Sequence, residues 1–161
     1  MAKDDFIRIN WDGLNDLDGL LEGIEEKVDA IAEEEYQKYG LFVEAATKSL
    51  VHHDEGDLEA SIHSSTSNKD GQIETVVGSN MKYALRRHEE PYRMGTHNKY
   101  DNGAKFERYY LNGRGRRTLL KPKWRGYKPG RKYLDNAVKA TAQEYDETNE
   151  RILRRITGEN I

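Results

Sequence analysis

The chain has 161 residues, 35% apolar and 34% charged, with no cysteine and a formal net charge of −3 at pH 7. That length bounds about one domain of ordinary size, and the lack of cysteine excludes disulfides, thiolate zinc centres and cysteine nucleophiles. The small total conceals a reversal: residues 1–60 hold 5 Lys/Arg against 17 Asp/Glu, net −12, whereas residues 81–133 hold 16 against 4, net +12.

In chain order, Phe6, Ile7 and Ile9 form a short apolar stretch closed by Asn10-Trp11-Asp12-Gly13, which predicts a brief strand and turn over residues 1–13. From Leu14 the apolar positions run Leu14, Leu17, Leu21, Ile24, Val28 and Ile31, then Tyr39, Phe42, Val43, Ala46 and Leu50. This spacing predicts an amphipathic helix over 14–51, roughly 55 Å long if unbroken, with Gly40 as the point at which it would divide. Glu22, Glu25, Glu26, Asp29, Glu33 and Glu34 lie mostly off the apolar stripe. They read either as a solvated face or as a counter-face for a basic neighbour.

A polar break, His52-His53-Asp54-Glu55-Gly56-Asp57, precedes a hairpin and sheet region over 58–90. Leu58-Glu59-Ala60-Ser61-Ile62 opens it as an extended segment, and Asp70-Gly71 is its turn. Met81 to Glu90 reads as a strand or helical turn that changes direction before Pro91. Residues 91–130 sustain no periodicity and predict a long basic loop, a length normally reserved for function or for segments that order on binding. A last amphipathic helix over 131–157 carries Leu134, Ala137, Val138, Thr141, Tyr145, Ile152 and Ile156, with Gly158 at its end. The expected architecture is one α+β domain: two long helices on a small, mainly antiparallel sheet, with the basic loop outside.

Chemistry finds little support. His52, His53, Asp54, Glu55 and Asp57 are adjacent in a loop and lack helical metal-ligand spacing, and His63, His88 and His97 stand apart from them. Ser61, Ser64, Ser65 and Ser67 have no nucleophile elbow, and Gly113-Arg114-Gly115-Arg116-Arg117 is neither a phosphate loop nor a dinucleotide fingerprint. The expectation is no enzyme, no metal and no cofactor. No apolar run is long enough to span a membrane, and the N-terminus has no apolar stretch for secretion, which predicts a soluble cytoplasmic product.

The candidate interface is therefore the basic stretch: Arg86, Arg87, His88, Glu89, Arg108, Arg114, Arg116, Arg117, Lys121, Lys123, Trp124, Arg125 and Tyr127. Its cations could meet an acidic protein surface such as the first helix of a neighbouring copy. Alternatively, the aromatic-laced loop 105–132 could bind nucleic acid, with arginines on phosphates and Tyr109, Tyr110, Trp124 or Tyr127 stacking on bases.

Four segments in order resemble the tail-completion, or head-tail joining, proteins of long-tailed bacteriophages. They are Glu55-Gly56-Asp57-Leu58-Glu59-Ala60-Ser61-Ile62, Val76-Val77-Gly78, Tyr83-Ala84 with His88-Glu89 and Gly95-Thr96, and Lys132-Tyr133-Leu134-Asp135-Asn136-Ala137. The family's usual Thr before Gly56 is Glu55 here, and the stretch between Glu90 and Lys128 is longer and more basic than the family pattern. The resemblance implies a structural virion protein of the neck that forms a homo-oligomeric ring, generally of six, between the tail-tube protein and the head stopper or connector. It also implies assembly in the host cytoplasm, proximity to the genome DNA, and a basic loop that folds against a ring neighbour.

Overall fold

The computed structural model describes residues 14–158. The strand and turn expected over residues 1–13 lie outside the described residues. The fold is α+β, with helices packed against two small antiparallel sheets.

Helix α1 (Leu14–Leu50) is unbroken through Gly40. Glycine stands there for packing: a Cβ would come 2.6 Å from the Thr75 methyl. The pairs Glu34–Lys38 and Glu44–Lys48, one turn apart, line the helix surface. Its C-terminal carbonyls are taken by distant donors, Gly130 N–H on Leu50 O at 2.7 Å and Lys121 Nζ on Lys48 O at 2.6 Å.

The stretch expected to open the sheet is instead a short helix, α2 (Asp57–Ser61), entered through Gly56 at φ 99. Acidic Asp57 and Glu59 suit its first turn, and it buries Leu58. The hairpin follows as expected. Strand β1 (Ile62–Lys69) pairs with β2 (Gln72–Ser79) from Ile62↔Ser79 to Lys69↔Gln72, closed by Asp70 and Gly71 at φ 52 and 78. Two left-handed residues make the type I′ turn whose twist matches the strands. One face of the hairpin lies on α1 and the other is exposed. Helix α3 (Ala84–Glu89) ends at Glu90, as the following Pro91 requires.

The basic segment is a correction to the loop expectation. It folds into strands β3 (Thr96–Asp101), β4 (Ala104–Leu111) and β5 (Arg114–Gly115), a three-stranded antiparallel sheet, followed by helix α4 (Arg116–Leu120). Its turns are Asn102-Gly103 and Asn112-Gly113, each Asn near φ 48 on average and each Gly at φ 82, so both are of the I′ type. A register shift between His97 and Lys99 bulges β3, and Asn98 Oδ1 accepts the Arg108 N–H at 2.9 Å.

The single helix expected over 131–157 is two, α5 (Tyr133–Ala140) and α6 (Ala142–Thr157). They break at Thr141, which is fully buried and turns its hydroxyl back onto Ala137 O at 2.9 Å while lying 3.3 Å from Tyr39 Oη. Helix α6 runs antiparallel to α1, with Tyr36 donating to Asn149 and Glu35 held by Arg151 and Arg155. The core gathers Ala46, Leu50 and Val51 from the end of α1 with Leu58, Ile62, Ala84, Tyr133 and Ala137.

Candidate functional site

Residues from each of the four quoted segments meet at one joint, Val77 among them, while Gly95-Thr96 lie apart and exposed, Gly95 bonded to Asn112. Tyr133, 2% exposed, donates its hydroxyl to Ala84 O at 3.0 Å and receives the His88 ring edge-on at 4.9 Å. Lys132 N–H bonds His88 O at 3.0 Å, and Lys132 Nζ pairs with Glu89. Leu58 and Ile62 complete the floor beside Ala137. Tyr133 needs a small neighbour and a carbonyl acceptor, and Ala84 supplies both. His88 and Glu89 thus fasten α3 to the start of α5.

The basic candidates divide sharply. Lys121 reaches the carbonyls of Lys48 and Val51 and the carboxylate of Glu59, 2.6, 3.1 and 3.1 Å away, so it caps α1. Arg125 stacks over Trp124 and Phe42, pairs with Glu144 and bonds Ala140 O, while Trp124 and Tyr127 bridge each other and pack on the core. Arg114 lies over the Tyr92 ring, Arg116 donates to Glu107 O, Arg117 to Asp54 O, and Arg86 to Glu90. Arg108 and Lys123 remain exposed, with no ion pair among the described residues. Most of the cations that read as partner contacts in the sequence are engaged by their own chain.

Between the 52–58 turn, α3 and the β3–β4–β5 sheet lies an open cleft of about 870 Å³. Burial works to raise the Asp54 carboxyl, but Lys99 and Tyr109, each bonded to it at 2.5 Å, hold it below its usual range. Burial and that same bond push Tyr109 up to about 12. At the cleft wall, burial and the nearby charges of Arg87, Arg114 and Lys121 drop His52 to about 4, so it is neutral at pH 7, edge-on to Tyr92. In the cleft Asp54 is paired with Lys99 and Arg86 with Glu90, while Glu55, Asp57, Arg87 and Arg93 also line it and make no ion pair among the described residues. Among the described residues no group of three His, Asp or Glu side chains could hold a metal ion, and no helix is long and apolar enough to cross a membrane.

The acidic candidates divide as well. Glu34, with Lys38 and Arg155 on it, is held down to about 2. At Glu35, burial works to raise the pKa, but Arg151, Lys38 and Arg155 outweigh it and keep the carboxyl low. Asp29 accepts from Asn68 at 3.3 Å. Glu22, Glu25, Glu26 and Asp29 line a shallow depression against the Asp70-Gly71 turn, and Glu22, Glu25, Glu26 and Glu33 make no ion pair among the described residues. On the same stretch of α1, Leu20, Leu21 and Ile24 are 61%, 53% and 49% exposed.

Sequence reasoning missed Lys99, Tyr92 and Lys132 as organising residues. Tyr92 sits in a slot that only glycine leaves open, because a Cβ at Gly113 or Gly130 would strike its ring or hydroxyl. The two Asn-Gly pairs were the available signal for the fold around it. Compared with protein-family models, curated proteins and solved structures, the chain finds no match.

Proposed function

We propose that the chain is a structural subunit of the neck of a long-tailed bacteriophage, a tail-completion protein whose copies close into a ring, of six by the family resemblance, between tail tube and head stopper. The observation that carries this reading is the joint at Tyr133. Much of the resembling motifs is core and not surface: Leu58, Ile62, Ala84, His88, Tyr133 and Ala137 pack together, while Val76, Gly95 and Thr96 are exposed.

Charge placement adds to it. Glu22 to Glu26 lie about 35 Å along α1 from Lys48, whose carbonyl Lys121 caps, so the acidic and basic ends of one chain are held apart. Ends that cannot satisfy each other within a chain suit a heterologous contact that repeats and closes.

The test is to mix the full chain with tail-tube protein and image the product by negative-stain electron microscopy over a salt series. Rings capping the tube, weakened as salt rises, support the reading; absence of any capped tube at low salt refutes it. The nucleic-acid alternative loses Arg114, Arg116 and Arg117 to contacts within the chain and rests on outward cations such as Arg108 and Lys123. Submicromolar, steeply salt-dependent binding of labelled duplex DNA, lost on R108A/K123A, would favour it.

A further inference from the structure

Helix α6 covers one face of α1 and then stops. Thr141 at its start meets Tyr39, and Arg155 holds Glu34 and Glu35 two residues before it ends at Thr157. The apolar stripe beneath it runs further. Ile31 is buried, but Leu20, Leu21 and Ile24 continue its face of the helix one to three turns earlier, and every residue from Gly19 to Lys27 is exposed. An apolar helix stripe is stable only against another element, and no other element covers this one among the described residues.

The carboxylates beside the stripe decide what can cover it. Residues 19–29 hold Glu22, Glu25, Glu26 and Asp29 against the single cation Lys27, so laying a second such arm on the first would set like charges together. The complement is an apolar ridge rimmed by cations, and the chain carries one at its opposite end. In α4, Thr118 turns inward and bonds both the N–H and the carbonyl of His53, which leaves Leu119 and Leu120 outward at 40% and 83% exposure. Residues 116–123 contain four cations and no carboxylate. Arg116 and Arg117 donate to backbone carbonyls, and with the exposed Lys123 they make no ion pair among the described residues.

We infer that the stripe at Leu20, Leu21 and Ile24 receives Leu119 and Leu120 of a second copy of the chain, with Glu22, Glu25 and Glu26 facing the cations around α4. Leucine then meets leucine and isoleucine at the centre of the contact, and opposite charges close its rim. One chain cannot make this contact with itself. Lys121 fixes the end of α4 to the last carbonyls of α1, and Ile24 lies about 39 Å from Leu50 along that helix at 1.5 Å per residue. Each copy therefore offers the arm at one end and the ridge at the other, which is a head-to-tail contact. The inference rests on the ring reading and supplies the contact that the ring requires.

The chain has no cysteine of its own, so introduced thiols report the contact directly. The double variant I24C/L120C, treated with a short bis-maleimide in the presence and absence of tail-tube protein, should give a ladder at multiples of 18.6 kDa. The ladder should be several-fold stronger than with I24C, L120C or the misplaced pair I24C/L41C. Ile24, Leu41 and Leu120 are all exposed, and circular dichroism checks that each variant folds. Reversing the arm's charge in the same background, E22K/E25K/E26K, should abolish the ladder. Crosslinking no greater than in the controls, or a ladder undiminished by the charge reversal, overturns the inference. Rings that cap tail tubes without this ladder sink the leucine contact and leave the neck reading standing. A ladder from chains that never cap a tube upholds the contact and sinks the neck reading.

Discussion

The two ends of α1 are built from the same kind of apolar stripe and meet opposite fates. At the C-terminal end Leu50 and Val51 are fully buried, and the last carbonyls are taken by Lys121 and Gly130. At the other end Leu20, Leu21 and Ile24 face solvent beside Glu22, Glu25 and Glu26, which make no ion pair among the described residues. The difference teaches that the basic segment, not the helix's own sequence, decides which end is framework and which is left over for contact. Lys121 and Arg125 secure the basic end from within; the acidic end keeps its charge outward.

Breaking the framework end should have the largest effect. Tyr133→Ala removes a buried aromatic and should cost about 3–5 kcal/mol in denaturant unfolding, whereas Tyr133→Phe, losing only the bond to Ala84 O, should cost about 1 kcal/mol. Lys121→Met leaves α1's last carbonyls and Glu59 without their cation and should cost about 2 kcal/mol.

His52 gives the framework a pH signature. Its pKa falls to about 4 when folded, mainly through burial, so the unfolded chain binds the extra proton between there and its ordinary value. Stability should therefore fall as pH drops from about 6.5 to 4, by about 3 kcal/mol, and His52→Gln should flatten that part of the profile.

One substitution made at both ends sharpens the contrast. Gly40→Ala drives a Cβ into Thr75 and should cost about 1 kcal/mol net, while Gly23→Ala, with open space around it, should stabilise by up to about 1 kcal/mol through helix propensity. Smallest of all, Glu25→Gln should change unfolding by less than about 0.5 kcal/mol, its effect being confined to association and its salt dependence.

Legibility in the sequence followed local information. The 3–4 spacing announced α1, and Asp70-Gly71 ahead of the β-branched arm Ile73 to Val77 announced the first hairpin. Over residues 91–130 the alternation is faint because only one side chain of β4, Tyr109, is buried, so the Asn-Gly turns stood without a visible strand pattern around them. The break between α5 and α6 depends on Thr141 meeting Tyr39 across the fold. The candidate contacts were least readable: Lys121 caps carbonyls 70 and 73 positions away, which no spacing rule reports. A run of cations looks the same whether it awaits a partner or already holds the chain together.

Hydrogen exchange of the free chain tests the central claim, that the basic segment is framework and the acidic arm of α1 is the end left for contact. Slow exchange over residues 104–111 and 43–51, with fast exchange over residues 19–28, is the predicted result. Fast exchange confined to residues 92–129, with α1 protected to its acidic end, would contradict it.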